Sequence, residues 1–195
     1  MKYIETYLND VSKITKLIDQ KKILSIIKII ALSKKNKGRI FFLGAGGSAA
    51  NASHAVNDFR KLANIDCYAP TDNVSELTAR VNDDGWDSFF INWLKNVNIN
   101  SNDLVVIFSV GGGDIKKKVS VGLIKALDYS KKNGVKTVSF SSNKKGYCYN
   151  NADFSLFIPY LNKKRKTPYS ESFQSVIWHL IVTHPLIKKN KMKWE

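Results

Sequence analysis

The sequence contains few cysteines. Only Cys67 and Cys148 occur among 195 residues, and no CxxC pair is present. Disulfide scaffolds and thiolate zinc sites need more cysteines or closer spacing, so both kinds of site are disfavoured. We expect the two thiols to be reduced and structural.

Long hydrophobic runs are also missing. The longest apolar stretch, residues 23–32, is interrupted by Ser25 and Lys28, and it is about half of the roughly twenty residues that a membrane-spanning helix needs. The first residues, MKYIETYLND, include acidic side chains and lack the apolar centre of a secretory signal. We therefore expect no membrane association and a cytoplasmic location.

Arginine is scarce in a strongly basic chain. The net charge is +15, yet only four of the 31 basic residues are Arg. Base-edge and bidentate phosphate recognition depend largely on Arg, and no zinc finger or aromatic RNA-binding motif accompanies the lysines. Nucleic-acid binding is therefore the least favoured of three candidate functions. A basic surface would still attract anionic small molecules such as phosphorylated substrates.

The hydrophobic pattern predicts an α/β fold with a doubly wound parallel sheet. Short apolar runs of strand type alternate with stretches at helical spacing, which is typical of parallel βαβ units. The predicted strands cover residues 40–43, 65–69, 104–108, 135–140 and 153–158. The predicted helices cover residues 3–33, as one helix or two, and 49–62, 123–132 and 170–183.

At 195 residues and 44% hydrophobic content, the chain 1–195 is expected to form one domain. Residues 1–37 form its N-terminal helices, and their apolar surface is large enough to predict contact with another subunit. Residues 38–185 form the α/β sandwich. Residues 186–195 form a basic tail that we expect to be frayed.

Two glycine-rich turns follow predicted strands, GAGGS at residues 44–48 and SVGGG at residues 109–113. At the carboxyl edge of a parallel sheet, backbone NH groups and a helix dipole favour an anion. The first turn matches neither GxGxxG nor a P-loop, which disfavours a nucleotide fold. Each turn alone is also consistent with a plain strand-to-helix connection, but two turns in one sheet can flank one phosphate. The expected phosphate-binding residues are Gly46, Gly47, Ser48, Ser109, Gly111, Gly112 and Gly113.

Histidine and carboxylate side chains recur on two predicted helices. His54 and Asp58 have i, i+4 spacing and therefore share one helix face. Glu171 and His179 are about 12 Å apart along the axis of the final helix, so they need a shared ligand or a neighbouring subunit to cooperate. Each pair alone is also consistent with an ordinary polar or buried helix position.

Four segments carry a family resemblance: GAGGSAANASHAVND, VNDDGWDSFF, IFSVGGG and TPYSESFQSVIWHLIVTHP, over roughly residues 38–185. They resemble the sugar isomerase (SIS) domain family, most closely its phosphoheptose isomerase group. The resemblance implies a five-stranded parallel sandwich, an N-terminal extension that packs a homotetramer, and active sites at subunit interfaces. It also implies an aldose-ketose isomerase that acts on sedoheptulose 7-phosphate through a cis-enediol.

The resemblance also assigns roles to residues at matching positions. Ser48 and Ser109 match serines of the glycine-rich turns, and Asp83 in the pair Asn82-Asp83 matches an active-site aspartate. Asn82, Asp83 and Glu171 are expected to contact the substrate. His179 matches a catalytic histidine. It is expected to act with a second acid-base residue, Asp58.

Zinc is the expected cofactor in this resemblance. Asp58 matches the usual catalytic glutamate, and together with His54, Glu171 and His179 it falls on positions that bind zinc in some members. Two carboxylates and two imidazoles suit zinc or a similar divalent metal. We therefore expect His179 and Asp58 to form the acid-base pair without a metal, and all four residues to hold a metal that polarises the carbonyl otherwise.

Several positions depart from the family pattern. Asp58 is one methylene shorter than glutamate, and Glu171 adds a negative charge where many relatives have glutamine. The second turn has lost hydroxyl groups and gained Asp114, whose carboxylate is expected to repel phosphate. These changes leave an alternative function open, namely a SIS module that binds a sugar phosphate without isomerising it.

Overall fold

A five-stranded sheet forms the centre of the computed structural model, which describes residues 1–194. Every pair of neighbouring strands is parallel, and the strand order is β2-β1-β3-β4-β5. The strands are β1 (Ile40–Leu43), β2 (Cys67–Tyr68), β3 (Leu104–Phe108), β4 (Lys136–Ser141) and β5 (Phe154–Phe157). The predicted α/β fold with a parallel sheet is confirmed.

Helices cover both faces of the sheet. Within residues 1–194 they are α1 (Lys2–Leu17), α2 (Gln20–Lys35), α3 (Gly47–Ala63), α4 (Val74–Asp84), α5 (Phe89–Asn96), α6 (Val121–Lys132), α7 (Tyr147–Asn151) and α8 (Lys166–Thr183). Alternate side chains of β1 enter different cores because successive strand residues point to opposite faces. Phe42 joins the core under α1, α2, α3 and α8, whereas Phe41 joins the core under α5 and α6.

The N-terminal region forms two helices. The chain is extended at Ile18, and the Asp19 side chain accepts a hydrogen bond from the Lys22 backbone NH at 3.1 Å. This N-cap starts α2 independently of α1. The predicted strand at 65–69 is reduced to two paired residues, and α8 begins at Lys166, earlier than predicted.

The C-terminal tail packs on the end of α3. Ile187 is fully buried, and the NH groups of Lys189 and Asn190 donate to the Leu62 carbonyl at 2.8 and 3.0 Å. The tail thereby satisfies a carbonyl that the end of a helix leaves without a partner. The expectation of a frayed tail is therefore wrong as far as Asn190, and Glu195 lies outside the described residues.

None of the helices found in residues 1–194 has the length and apolar character needed to cross a membrane.

Candidate active site

A small cavity lies at the point in the sheet where the strand order reverses, between β1 and β3. Strands β1 and β3 are neighbours, while β2 follows β1 on the other side, and such switch points form crevices at the carboxyl ends of strands. Both glycine-rich turns end at this crevice, and the cavity between them, called the turn cavity below, has a volume of about 180 Å³. Its lining residues are Ala45, Ser48, Phe108, Ser109, Val110, Gly111, Val119, Ser120, Leu123 and Glu171.

A hydrogen bond between two of its own residues stabilises the second glycine-rich turn. The buried Ser109 Oγ accepts a hydrogen bond from the Gly112 backbone NH at 3.1 Å. Gly112 and Gly113 have φ angles of 69° and 79°, a region that favours glycine because it lacks Cβ. These two glycines shape the turn, while Gly111 lines the cavity.

The Asp114 carboxylate forms a hydrogen bond within its own loop. Its Oδ1 accepts a hydrogen bond from the Lys117 backbone NH at 3.0 Å, and it does not line the turn cavity. The carboxylate closes its own loop, and the repulsion of phosphate by Asp114 stays a prediction.

Glu171 supplies the negative charge in the turn cavity instead. A Cβ atom built on Gly47 would lie 2.5 Å from Oε2 and 2.7 Å from Oε1 of Glu171. The carboxylate therefore lies on the first turn of α3, where the helix dipole favours an anion. Gly46, just before it, has a φ angle of 61° and an open position where a side chain would point.

A polar seam continues from the turn cavity between α3 and α8. Gly47, Asn51, His54 and Asp58 share one face of α3 because their spacing is i, i+4, i+7 and i+11. Asn51 Nδ2 donates to the Glu171 backbone carbonyl at 2.9 Å and to Gln174 Oε1 at 3.0 Å. This amide links the two helices midway along the seam.

Two histidines and one aspartate meet at the far end of the seam. His54, Asp58 and His179 each offer a ligand atom, and these atoms all lie within 4.8 Å of one another. His179 Nε2 is 3.7 Å from Asp58 Oδ2, and the His54 and His179 ring centroids are 5.2 Å apart. The His179 side chain is 44% exposed, so the group opens to solvent.

His179 is held in one orientation. Its Nδ1 lies 2.8 Å from the Ser175 backbone carbonyl, which can only accept, so Nδ1 carries the proton. In the neutral ring, Nε2 then presents its lone pair towards Asp58. The Trp178 ring stacks on His179 with centroids 3.5 Å apart and also contacts the His54 ring at 4.7 Å.

The His54–Asp58–His179 group fits a divalent metal. Two imidazoles, one carboxylate and a solvent-facing position match the ligand set of a catalytic zinc site. Metal-binding histidines commonly donate their other NH to a backbone carbonyl, as His179 does to Ser175. The residues present therefore suit zinc, which these three side chains would hold.

Glu171 does not join that group in the described residues 1–194. Glu171 as a fourth metal ligand therefore stays a prediction: Glu171 and His179 stand about 12 Å apart along α8, and the Glu171 carboxylate faces Gly47 in this structure. It joins the turn cavity, where the sequence also predicted a substrate contact.

Comparisons with known proteins agree with this architecture. The SIS domain family model matches residues 2–142. The chain belongs to the SIS domain family. It is 28% identical to the phosphoheptose isomerase of Thermodesulfovibrio yellowstonii, over 82% of this chain and 76% of the relative. It is also 28% identical to that of Buchnera aphidicola subsp. Acyrthosiphon pisum, over 95% of this chain and 93% of the relative.

The fold of this SIS domain resembles that of a solved phosphoheptose isomerase. A phosphoheptose isomerase from Francisella tularensis superposes with a TM-score of 0.80 at 18% identity, covering 92% of this chain and 94% of that one. This likeness shows the fold, because the sequence identity is low.

Two predicted residues of the SIS domain lie away from the site. Asn82 and Asp83 are exposed near the end of α4, and Asn82 Nδ2 donates to Asp83 Oδ1 at 2.8 Å. Neither lines the turn cavity. Within one chain, neither belongs to the cavity lining or to the His54–Asp58–His179 group.

Sequence reasoning missed three residues of the SIS domain's seam, Asn51, Ser175 and Trp178. The spacing of Asn51 from Gly47 and His54 was a usable signal, because it places all three on one helix face. The carbonyl of Ser175 carries no side-chain signal at all.

Proposed function

We propose that this chain is an aldose-ketose isomerase that converts sedoheptulose 7-phosphate into D-glycero-D-manno-heptose 7-phosphate. Two curated relatives with 28% identity have the name phosphoheptose isomerase. The observation that carries the proposal is the seam that joins the turn cavity to the His54–Asp58–His179 group. An anion site and an acid-base group on the same pair of helices are what a sugar-phosphate isomerase needs.

The turn cavity suits one phosphate group. Its volume of about 180 Å³ is below the roughly 300–1,000 Å³ of pockets that enclose a whole ligand. Ser48 and His54 are about 9 Å apart along the axis of α3. A phosphate at Ser48 would therefore leave the carbon chain to run along the seam, with its reactive end near His179.

His179 and Asp58 suit the proton transfer. With no metal bound, the Nε2 lone pair of His179 would accept a proton from one of the two reacting carbons and return it to the other through a cis-enediol, while the hydroxyl proton passes between the two substrate oxygens. The Asp58 carboxylate, 3.7 Å from Nε2, would stabilise the imidazolium in between. In the metal-bound alternative, a zinc ion held by His54, Asp58 and His179 would polarise the substrate carbonyl, and Nε2 of His179 would then be a ligand and not the base.

We also propose that the active form is a homotetramer with sites at subunit interfaces. Leu24 of α2 and Leu180 of α8 are 41% and 45% exposed and line an apolar groove of about 400 Å³. A second copy covering this groove would bury them, and a neighbouring copy could supply the Asn82-Asp83 pair. Light scattering should show four copies, and fewer for Leu24→Asp combined with Leu180→Asp.

The test is an assay of the purified protein with sedoheptulose 7-phosphate, with and without a chelator and with zinc added back. We expect formation of the heptose aldose phosphate. Binding of the sugar phosphate without any turnover would contradict the isomerase and support the non-catalytic SIS module. That alternative is favoured by Glu171, which places a negative charge in the turn cavity.

Nucleic-acid binding, the third candidate function, would be recognised by the salt dependence of binding to DNA or RNA. A basic protein that binds phosphates of DNA or RNA loses affinity steeply as salt rises. We expect no tight, salt-dependent binding to DNA or RNA.

A further inference from the structure

Glu171 holds an unusual place for a carboxylate. Among the described residues that line the turn cavity, it is the charged one, and no Lys or Arg side chain lines the cavity with it. Its carboxylate group supplies the three atoms closest to a Cβ built on Gly47, at the first turn of α3. An internal anion therefore occupies a position at which the proposed phosphate would bind.

The backbone of Glu171 is held in place, whereas its carboxylate can move. The backbone carbonyl accepts a hydrogen bond from Asn51 Nδ2 at 2.9 Å, which holds this turn of α8 against α3. The carboxylate lies at the far end of a side chain with several rotatable bonds, so it can leave while the helix stays in place.

Two anions cannot share the cavity at low cost. The dipole of α3 contributes only about half a positive charge at its N-terminus, and like charges a few ångströms apart repel strongly in a partly buried site. With no cationic side chain among the described lining residues to balance both, an incoming phosphate has to displace the Glu171 carboxylate.

We infer that Glu171 limits the affinity of the site for phosphate by competing with the substrate phosphate for the first turn of α3. This inference rests on the proposed function and deepens it. A free phosphate ion gains only the contacts of the cavity, and the competing carboxylate weakens it in proportion to the time that the cavity is occupied. The same loss applies to a phosphate attached to a sugar, but further contacts along the seam offset it there.

Inorganic phosphate is the probe for this competition. Isothermal titration calorimetry would give its Kd for the full chain, for Glu171→Gln and for Glu171→Ala. Both substitutions keep the Asn51 bond, because that bond is made to the backbone. Glu5→Gln on α1 is the matched control, since it removes one negative charge from an exposed position.

We expect both Glu171 variants to bind phosphate about fivefold more tightly than the parent chain, the effect of one carboxylate at a helix N-terminus. Glu5→Gln should bind like the parent. A Kd that is equal or weaker in both Glu171 variants overturns the competition, and turnover of sedoheptulose 7-phosphate by the parent would then leave the isomerase standing. Absence of both phosphate binding and turnover overturns the proposed function, and the inference with it.

Discussion

Asp58 and His179 face each other across the seam with 3.7 Å between Oδ2 and Nε2. Each is held from behind: Asn57 Nδ2 donates to Asp58 Oδ1 at 2.9 Å, and the Ser175 carbonyl fixes His179 Nδ1 at 2.8 Å. A carboxylate oxygen and an imidazole lone pair repel unless a cation or proton lies between them. The pair is therefore arranged to take up one or the other.

Replacing His179 with alanine should remove turnover and keep phosphate binding. We expect kcat for sedoheptulose 7-phosphate to fall at least about 100-fold, because the proton-transfer group is lost. The Kd for inorganic phosphate should not change, since His179 does not line the turn cavity. Ser172→Ala, at an exposed position of the same helix, is the control, and parental kcat in His179→Ala would remove His179 from the mechanism.

Metal binding should depend on three residues. Cobalt(II) titration, followed by visible absorption, should show one site, and His54→Ala or Asp58→Asn should weaken it at least about tenfold. Glu171→Gln should leave cobalt affinity unchanged, because the Glu171 carboxylate faces Gly47. An equal loss in Glu171→Gln would show that the metal-bound site uses a fourth ligand.

Asn51 should act as a positioning residue. Asn51→Ala leaves the Gln174 Oε1 and Glu171 carbonyl acceptors without their donor, which should cost about 1–3 kcal/mol in urea unfolding. Because the link sets how α8 lies on α3, kcat should fall more than KM changes. Asn51→Asp has the same size but lacks the NH₂ donor, so parental kcat in that variant would contradict this role.

Two glycines of the second turn should respond differently to alanine. A Cβ on Gly113 would lie 2.7 Å from Ile124 Cγ1 at a φ angle of 79°, whereas a Cβ on Gly111 meets nothing within 4 Å. Gly113→Ala should lower the free energy of unfolding by about 1–3 kcal/mol. Gly111→Ala should change it by less than about 0.5 kcal/mol, and equal losses in urea unfolding would contradict the packing argument.

Both cysteines should resist labelling in the folded protein. Burial raises the pKa of the Cys148 thiol to about 12 and also raises the pKa of Cys67. The thiolate is the reactive form, and it is scarce when the pKa lies far above the pH of the experiment. Mass spectrometry after iodoacetamide at pH 8 should show two labels in urea and none in native buffer, and rapid native labelling would show that a thiol is accessible.

Sequence patterns predicted the central strands more accurately than the edge strand β2 and helix α4. Strands β1 and β3 have the predicted bounds, because every residue of a central strand is buried and the run is uniformly apolar. Helix α4, which the sequence analysis did not predict, has no buried residue and packs on the core only through partly buried side chains such as Leu77 and Val81. The pairing that shortens β2 to two residues depends on a neighbouring strand.

The amino-acid sequence by itself determined the strand and helix alternation, the two glycine-rich turns and the shared face of His54 and Asp58, because each follows from spacing within a few residues. Only the tertiary structure decided that His179 joins this pair while Glu171 turns to Gly47. The physical reason is that α3 and α8 are separated by more than one hundred residues of chain, so their contacts are set by how the helices pack on the sheet.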